Sequence, residues 1–152
     1  MLGPIIDYCS CVWNVGYLGD VRRLESLQRR WTKEVEGLRG MEYVVRLREC
    51  GLYSVRGRLL RQDLIKIWKC FHMEVEVGMG GLFERARAVG TRGHQYKLSV
   101  PVCRSEVKRR SLAARCVNVW NSLSAETVEA SSLMASKGRL DAYLGERLFA
   151  VS

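Results

Sequence analysis

From Asp20 to Leu38 the sequence DVRRLESLQRRWTKEVEGL sets Val21, Leu24, Gln28, Trp31, Val35 and Leu38 at spacings of three and four. That period belongs to an α-helix resting one stripe against a neighbour. Arg22, Arg29 and Lys33 share the opposite face, turned toward solvent. The plan returns between Val55 and Phe71, where Leu60, Leu64, Ile67, Trp68 and Phe71 make the seam and Arg58, Arg61, Gln62, Lys66 and Lys69 the other arc. Such segments confine the chain to helix packed on helix, and a mainly α bundle of about five to six helices is expected.

Local signals divide the chain further. Asp20 is the expected N-cap of the first long helix, and Gly37 or Gly40 its stop, since glycine takes the left-handed conformation that ends helices. A short helix follows from Glu42 to Glu49, closed by Gly51, and Ser54 is placed to cap the helix that begins at Val55. Residues 74–104 break the pattern with Gly78, Gly80, Gly81, Gly90 and Gly93, a glycine-rich excursion in which only YKLSVPV, Tyr96 to Val102, alternates like an extended strand. Ser105 is expected to cap a helix from Glu106 to Leu123, with Leu112, Cys116, Val119, Trp120 and Leu123 buried. The last helix, Ser132 to Leu148, carries Leu133, Leu140, Tyr143 and Leu144, but Ser136 stands where an apolar group is expected. Near the start, Leu2 to Trp13 reads as a buried helix through Ile5, Ile6, Cys9, Val12 and Trp13, to be packed on this domain or on a neighbour.

Charge narrows the choice of partner. The net charge of +9 is unevenly spread: residues 1–21 hold two acids and no base, and residues 116–152 hold four acids and three bases, so the intervening stretch carries +12. Nineteen of the 25 bases are arginines, whose planar fork grips phosphate bidentately or stacks on a base. A polyanionic partner fits this bias. The alternative is that the arginines only solvate helix faces and pair with nearby glutamates, as Glu25 could with Arg22 or Arg29. The cluster Lys108, Arg109 and Arg110 could act as a nuclear-import signal, though three consecutive bases are common on ordinary helices.

No run approaches eighteen apolar residues, and the N-terminus has no basic region ahead of its apolar stretch, so an intracellular protein outside the membrane is expected. The six cysteines are then expected to be reduced and mostly buried. The nearest approaches to metal-ligand spacing, Cys9-x-Cys11 and Cys70-x-His72 with His94 apart, are poor for zinc. No metal or other cofactor is expected.

Six stretches in order, PIIDYCSCVWN, LESLQRRWTK, YVVRLRECGLYSVRGRLLRQDLIKIWK, RGHQYKL, RRSLAARCVNVWNSL and GRLDAYLG, resemble the carboxy-terminal region of reverse transcriptases from non-LTR, LINE-type retrotransposons, in particular jockey-like ones. The resemblance runs over nearly the whole chain. It implies that residues 1–37 correspond to the end of the polymerase thumb and residues 38–152 to the helical region beyond. Polymerisation in that family depends on paired aspartates holding two metal ions. Here Asp7, Asp20, Asp63 and Asp141 are each isolated, so no polymerase or nuclease activity is expected of this polypeptide alone.

By the family's role the chain would hold the backbone of template RNA or target DNA for upstream polymerase domains, in the nucleus, without a small-molecule substrate. Arg22, Arg29, Arg30, Lys33, Arg58, Arg61, Arg92 and Arg110 are the candidate backbone contacts. Tyr96 and Trp31 are candidates for base stacking, with burial the expected state of Trp31. Departures from the family pattern at Leu112, Ala113, Leu123–Ser124 and Ser136 suggest loss of buried groups. They leave open a decayed, truncated relic of a retroelement, and the apolar segment Leu2–Trp13 leaves open a helical protein-interaction module that docks through it.

Overall fold

A computed structural model describes residues 18–72, 83, 85–86, 93–102, 104–105 and 111–151. The described residues form six α-helices and one 3-10 helix. They are α1 (Leu18–Lys33), α2 (Tyr43–Glu49), α3 (Val55–His72), α4 (Leu112–Ser122), α5 (Ala125–Val128), α6 (Leu133–Leu144) and the 3-10 helix Gly145–Phe149. The mainly helical bundle expected from the sequence is what forms.

Helix α3 is the axis of the fold, and it packs on α1, α4, α6 and the 3-10 helix. Its sequence explains the position: Val55, Leu59, Leu64, Ile65, Ile67 and Trp68 are all buried, and at about 100° per residue these positions point to nearly every side. The main core joins Leu64, Ile67 and Trp68 to Cys116, Val117 and Trp120 of α4, to Leu140 and Leu144 of α6, and to Leu148. Each such side chain taken out of water contributes roughly 1.5–3 kcal/mol. A smaller cluster sets Val55 and Leu59 against Val21 and Leu24 of α1.

Serines close the helix starts. Ser111, Ser124 and Ser132 accept from the backbone N–H of Ala114, Thr127 and Ala135 respectively, each worth about 1 kcal/mol over alanine. Ser54 does more. Its hydroxyl accepts from Gly57 N–H at 3.0 Å and donates toward the Ala150 carbonyl at 2.7 Å, while its own N–H donates to the Leu148 carbonyl at 2.9 Å. The start of α3 is thereby tied to the end of the described chain.

Several boundaries differ from expectation, each for a local reason. Helix α1 starts at Leu18, which puts Asp20 in its first turn and not at the cap, and it ends at Lys33 and not at Leu38. The chain then turns through Gly37 and Gly40, both with positive φ (81° and 99°). The helix expected from Ser105 through Leu123 does not run unbroken, because Ser111 is extended (φ −60°, ψ 154°) and caps a helix that begins at Leu112; residues 106–110 lie outside the described residues. Likewise the last helix stops at Leu144, where Gly145 takes φ 44°, and continues as the 3-10 helix.

The expected strand Tyr96–Val102 is absent; only an isolated antiparallel bridge, Arg85 to Leu98, is found among the described residues of the excursion. Side chains of α4 replace the strand partner. The Asn121 amide accepts from Leu98 N–H at 2.9 Å and donates to the Leu98 carbonyl at 2.8 Å, and Trp120 Nε1 donates to the Tyr96 carbonyl at 2.8 Å. With both backbone groups of Leu98 and the Tyr96 carbonyl satisfied this way, this part of the segment needs no ladder. The stretches HQYKL and VWNSL are thus physically joined.

Ser136, expected to be a weak spot, is buried and donates to the Thr127 carbonyl at 3.3 Å. A buried hydroxyl with a partner carries no desolvation penalty of the unsatisfied kind. Tyr143, expected in the buried stripe, is instead 37% exposed. Cys116 is buried, and Cys50 and Cys70 are half-buried. The proposed helix Leu2–Trp13, with Cys9 and Cys11, and Cys103 lie outside the described residues.

Candidate nucleic-acid interface

The buried side of α1 is polar, and this determines what its other side presents. Glu25, Gln28 and Thr32 are buried, where the sequence pattern favoured Gln28, Trp31 and Val35. Glu25 accepts from the Tyr43 hydroxyl at 2.5 Å through one carboxylate oxygen and from Val55 N–H at 2.8 Å through the other. The second bond satisfies an orphan donor in the first turn of α3 and places a negative charge at that helix's positive end. Gln28 donates to the Tyr43 hydroxyl (3.2 Å) and to the Tyr53 carbonyl (2.9 Å). From α2, the buried Arg46 donates to Thr32 Oγ1 at 3.2 Å and to the Met41 carbonyl at 2.5 Å. Burial, reinforced by the Glu25 carboxylate, raises the Tyr43 hydroxyl well above its ordinary range, so it stays a donor at all ordinary pH.

With that side locked inward, the bases turn out. At about 100° per residue Arg22, Arg23, Arg29, Arg30 and Lys33 fall within an arc of about 120°, and all five are exposed. Measured along the axis, Arg22 to Lys33 spans about 16 Å at 1.5 Å per residue. Arg23 lies 4.0 Å from Asp20, an exposed pair of little energetic weight. Arg22, Arg30 and Lys33 face no carboxylate among the described residues. Glu25, the acid that could have paired with Arg22 or Arg29, is engaged by Tyr43 and Val55 instead. The Arg29 guanidinium rests 4.5 Å from the Tyr43 ring centroid, which orients it without neutralising it.

The other predicted contacts are scattered. Arg61 is held in a bidentate ion pair with Asp141 of α6 and serves the α3–α6 contact. Arg58 is half-buried on α3. Tyr96 is half-buried too, and no open stacking surface: its ring packs at 5.5 Å from Phe71 and 5.2 Å from His72, with the Arg85 guanidinium 5.7 Å away. Arg92 and Arg110, like the cluster Lys108–Arg110, lie outside the described residues. The bases of α1 also lie across that helix from Val21 and Leu24, the residues packed on α3, so the two cationic helices do not line one groove.

Trp31 is where expectation fails most clearly: it is 47% exposed. The pairings Gln28 with Tyr53, Glu25 with Val55, and Val21 and Leu24 with Val55 and Leu59 run in opposite directions along the chain. Helices α1 and α3 are therefore antiparallel, and the seam of α1 runs past the start of α3 one turn before Trp31. The indole is left outside the contact with α3 and stays about half exposed.

The described aspartates all have structural partners. Asp20 pairs with Arg23 and Asp141 with Arg61, while Asp63, 2% exposed, receives Arg115 at 2.8 and 3.2 Å. Burial pushes the Asp63 carboxyl above its ordinary value, and Arg115 opposes that shift. Of the Cys70-x-His72 pair, His72 donates through Nε2 to the Val128 carbonyl at 2.7 Å. No group of three His, Cys, Asp or Glu among the described residues could hold a metal ion. No described helix is long and apolar enough to cross a membrane.

Of the polar keystone of Glu25, Gln28, Thr32, Tyr43 and Arg46, the sequence pattern placed only Gln28 on the buried side, because polar side chains at helical spacing look like a solvated face until their partners are known. Compared with family models, curated proteins and solved structures, the chain finds no match.

Proposed function

We propose that this chain is a non-catalytic, basic nucleic-acid-binding segment that grips the backbone of RNA or DNA through the outward arc of α1. The single observation that carries this reading is the ridge of Arg22, Arg30 and Lys33, exposed and without carboxylate partners among the described residues. Solvated-face arginines are ordinarily interleaved with acids. Here the one acid within the ridge, Glu25, is turned into the protein. A row of fixed, uncompensated cations recruits a polyanion by releasing its counterions.

In this reading the resemblance to non-LTR reverse transcriptases supplies the setting: a helical region that holds template or target strand for upstream polymerase domains, in the nucleus. No catalytic step is assigned to the chain. The contacts go to phosphate and not to base edges, so binding is expected to show little sequence preference. Ser136, which motivated the relic reading, is hydrogen-bonded and offers that reading no support.

The test is fluorescence-anisotropy binding of labelled RNA and DNA across salt concentrations. Four engaged bases, Arg22, Arg29, Arg30 and Lys33, predict a log–log slope of about −3 to −4, at roughly −0.7 to −0.9 per phosphate neutralised. Replacing Arg22, Arg30 and Lys33 together by glutamine should flatten the slope by about 2 to 3 units while helical circular dichroism is unchanged. Absence of binding at low salt, or a slope indifferent to the triple substitution, would refute the proposal.

A further inference from the structure

We infer that the strand held along α1 is unpaired nucleic acid, with Trp31 as the platform on which one base stacks. The inference rests on the nucleic-acid reading above and specifies its ligand. Trp31 is 47% exposed and its i−4 neighbour Leu27 is 50% exposed, so an apolar strip runs along one edge of the basic arc. The indole makes no ring or cation–π contact with any described residue. Trp68 and Trp120, by contrast, are buried. An indole left open in this way presents a flat face to whatever approaches the ridge.

Charge decides between a protein partner and a base. From Arg22 to Lys33 the exposed face of α1 comprises Arg22, Arg23, Ser26, Leu27, Arg29, Arg30, Trp31 and Lys33, with no acid among them. A protein docking on Trp31 would need a strongly acidic surface around its apolar contact. A nucleic-acid strand carries its phosphates and its π faces on one flexible polymer, and both features of the ridge meet it together. In a duplex those π faces are covered by neighbouring base pairs, so stacking on Trp31 would first require unstacking. An unpaired strand offers them freely. Among the described residues the ring keeps about half of its surface open to an approaching base.

The experiment compares the wild-type chain with Trp31→Ala and Trp31→Phe, each titrated into a labelled twelve-residue oligouridine and a blunt RNA hairpin whose strands are joined by a non-nucleotide linker, so that every base is paired. Stacking predicts a loss of about 5- to 100-fold for Trp31→Ala on oligouridine, an unchanged salt slope, and an unchanged hairpin affinity. Trp31→Phe should retain most of the binding, and wild-type tryptophan fluorescence should be quenched by oligouridine but not by the hairpin. The indole is 47% exposed, so each variant is compared with wild type at a temperature where its helical circular dichroism matches. Wild-type oligouridine affinity in Trp31→Ala, equal losses on both ligands, or a wild-type preference for the hairpin would overturn the inference and leave the backbone-binding reading standing. An acidic protein that binds at Trp31 without competing with oligouridine would overturn it too. Failure of the wild type to bind either ligand would overturn both readings.

Discussion

Gly57 and Gly138 allow a test in which helix propensity and tertiary packing predict opposite signs. Both glycines sit inside helices, α3 and α6, where alanine is favoured by about 1 kcal/mol on propensity alone. A Cβ built on Gly138 meets nothing within 4 Å, whereas one built on Gly57 would lie 2.3 Å from the Leu148 carbonyl oxygen and 2.6 Å from the Leu148 Cα and carbonyl carbon. All three are backbone atoms, so no rotamer change relieves the overlap, and the 3-10 helix must move outward by about 1 Å to reach ordinary contact. That movement strains the two Ser54 bonds to Leu148 and Ala150, worth about 1 kcal/mol each. It also withdraws the buried Leu148 from the core, where full truncation to alanine would cost about 2–5 kcal/mol. Offset by the propensity gain, the expected net loss for Gly57→Ala is about 2–4 kcal/mol, or roughly 5–15 °C in melting temperature for a chain of this size. Gly138→Ala should gain about 0.5–1 kcal/mol. Urea titration followed by circular dichroism measures both against wild type. If Gly57→Ala raised the midpoint as Gly138→Ala does, α3 and the 3-10 helix could not be in the contact described.

Three further predictions follow from buried polar groups. Ser136→Phe should destabilise by about 1–3 kcal/mol through overpacking, and a raised melting temperature would show that the site has room for a ring. Arg115→Met should cost about 3–5 kcal/mol at pH 7 by stranding the buried Asp63 charge, with much of it recovered in the double variant with Asp63→Leu. Because the folded carboxyl already titrates above its unfolded value, protonation favours the folded state, and the Arg115→Met deficit should shrink on going from pH 7 to pH 4 in chemical denaturation. His94 is buried with Nε2 3.0 Å from the Trp120 carbonyl, which can only accept, so Nε2 carries the hydrogen and Nδ1 has no partner among the described residues. Burial, aided by the Lys97 charge, lowers its pKa, so the unfolded chain takes up the proton first. Stability should therefore fall as pH drops below about 6.5, by at most about 1.4 kcal/mol per pH unit, and His94→Phe should remove that slope in pH-dependent melts.

Much of the candidate site was legible in the sequence, but not what turns its bases outward. The period of apolar residues located α1, α2, α3 and the cores of α4 and α6, and Ser54 was readable as a cap. Arg22, Arg29, Arg30 and Lys33 were readable as an outward face because helical geometry alone places them across from Val21 and Leu24. Arg61 could not be told from them: its partner Asp141 is eighty residues away, and only the packing of α6 on α3 brings the two together. Tyr96 looked like a stacking residue until α4 closed over its segment. Ser136 looked like damage until Thr127 supplied an acceptor.

Length, period and charge were sufficient to determine a small basic helical bundle, since burial of an amphipathic stripe is a local requirement that any partner can meet. Which residues of a stripe are covered, and how far, is decided by where the partner begins and ends. Helix α3 begins at Val55, so Gln28 is buried against Tyr53 while Trp31, one turn further along the same seam, stands open beside the arginines. The polar keystone under α1 depends on Tyr43, Arg46 and Val55 arriving from two other helices. A single stretch of sequence specifies the donors and acceptors of such a network, and only the assembled fold brings each to its partner.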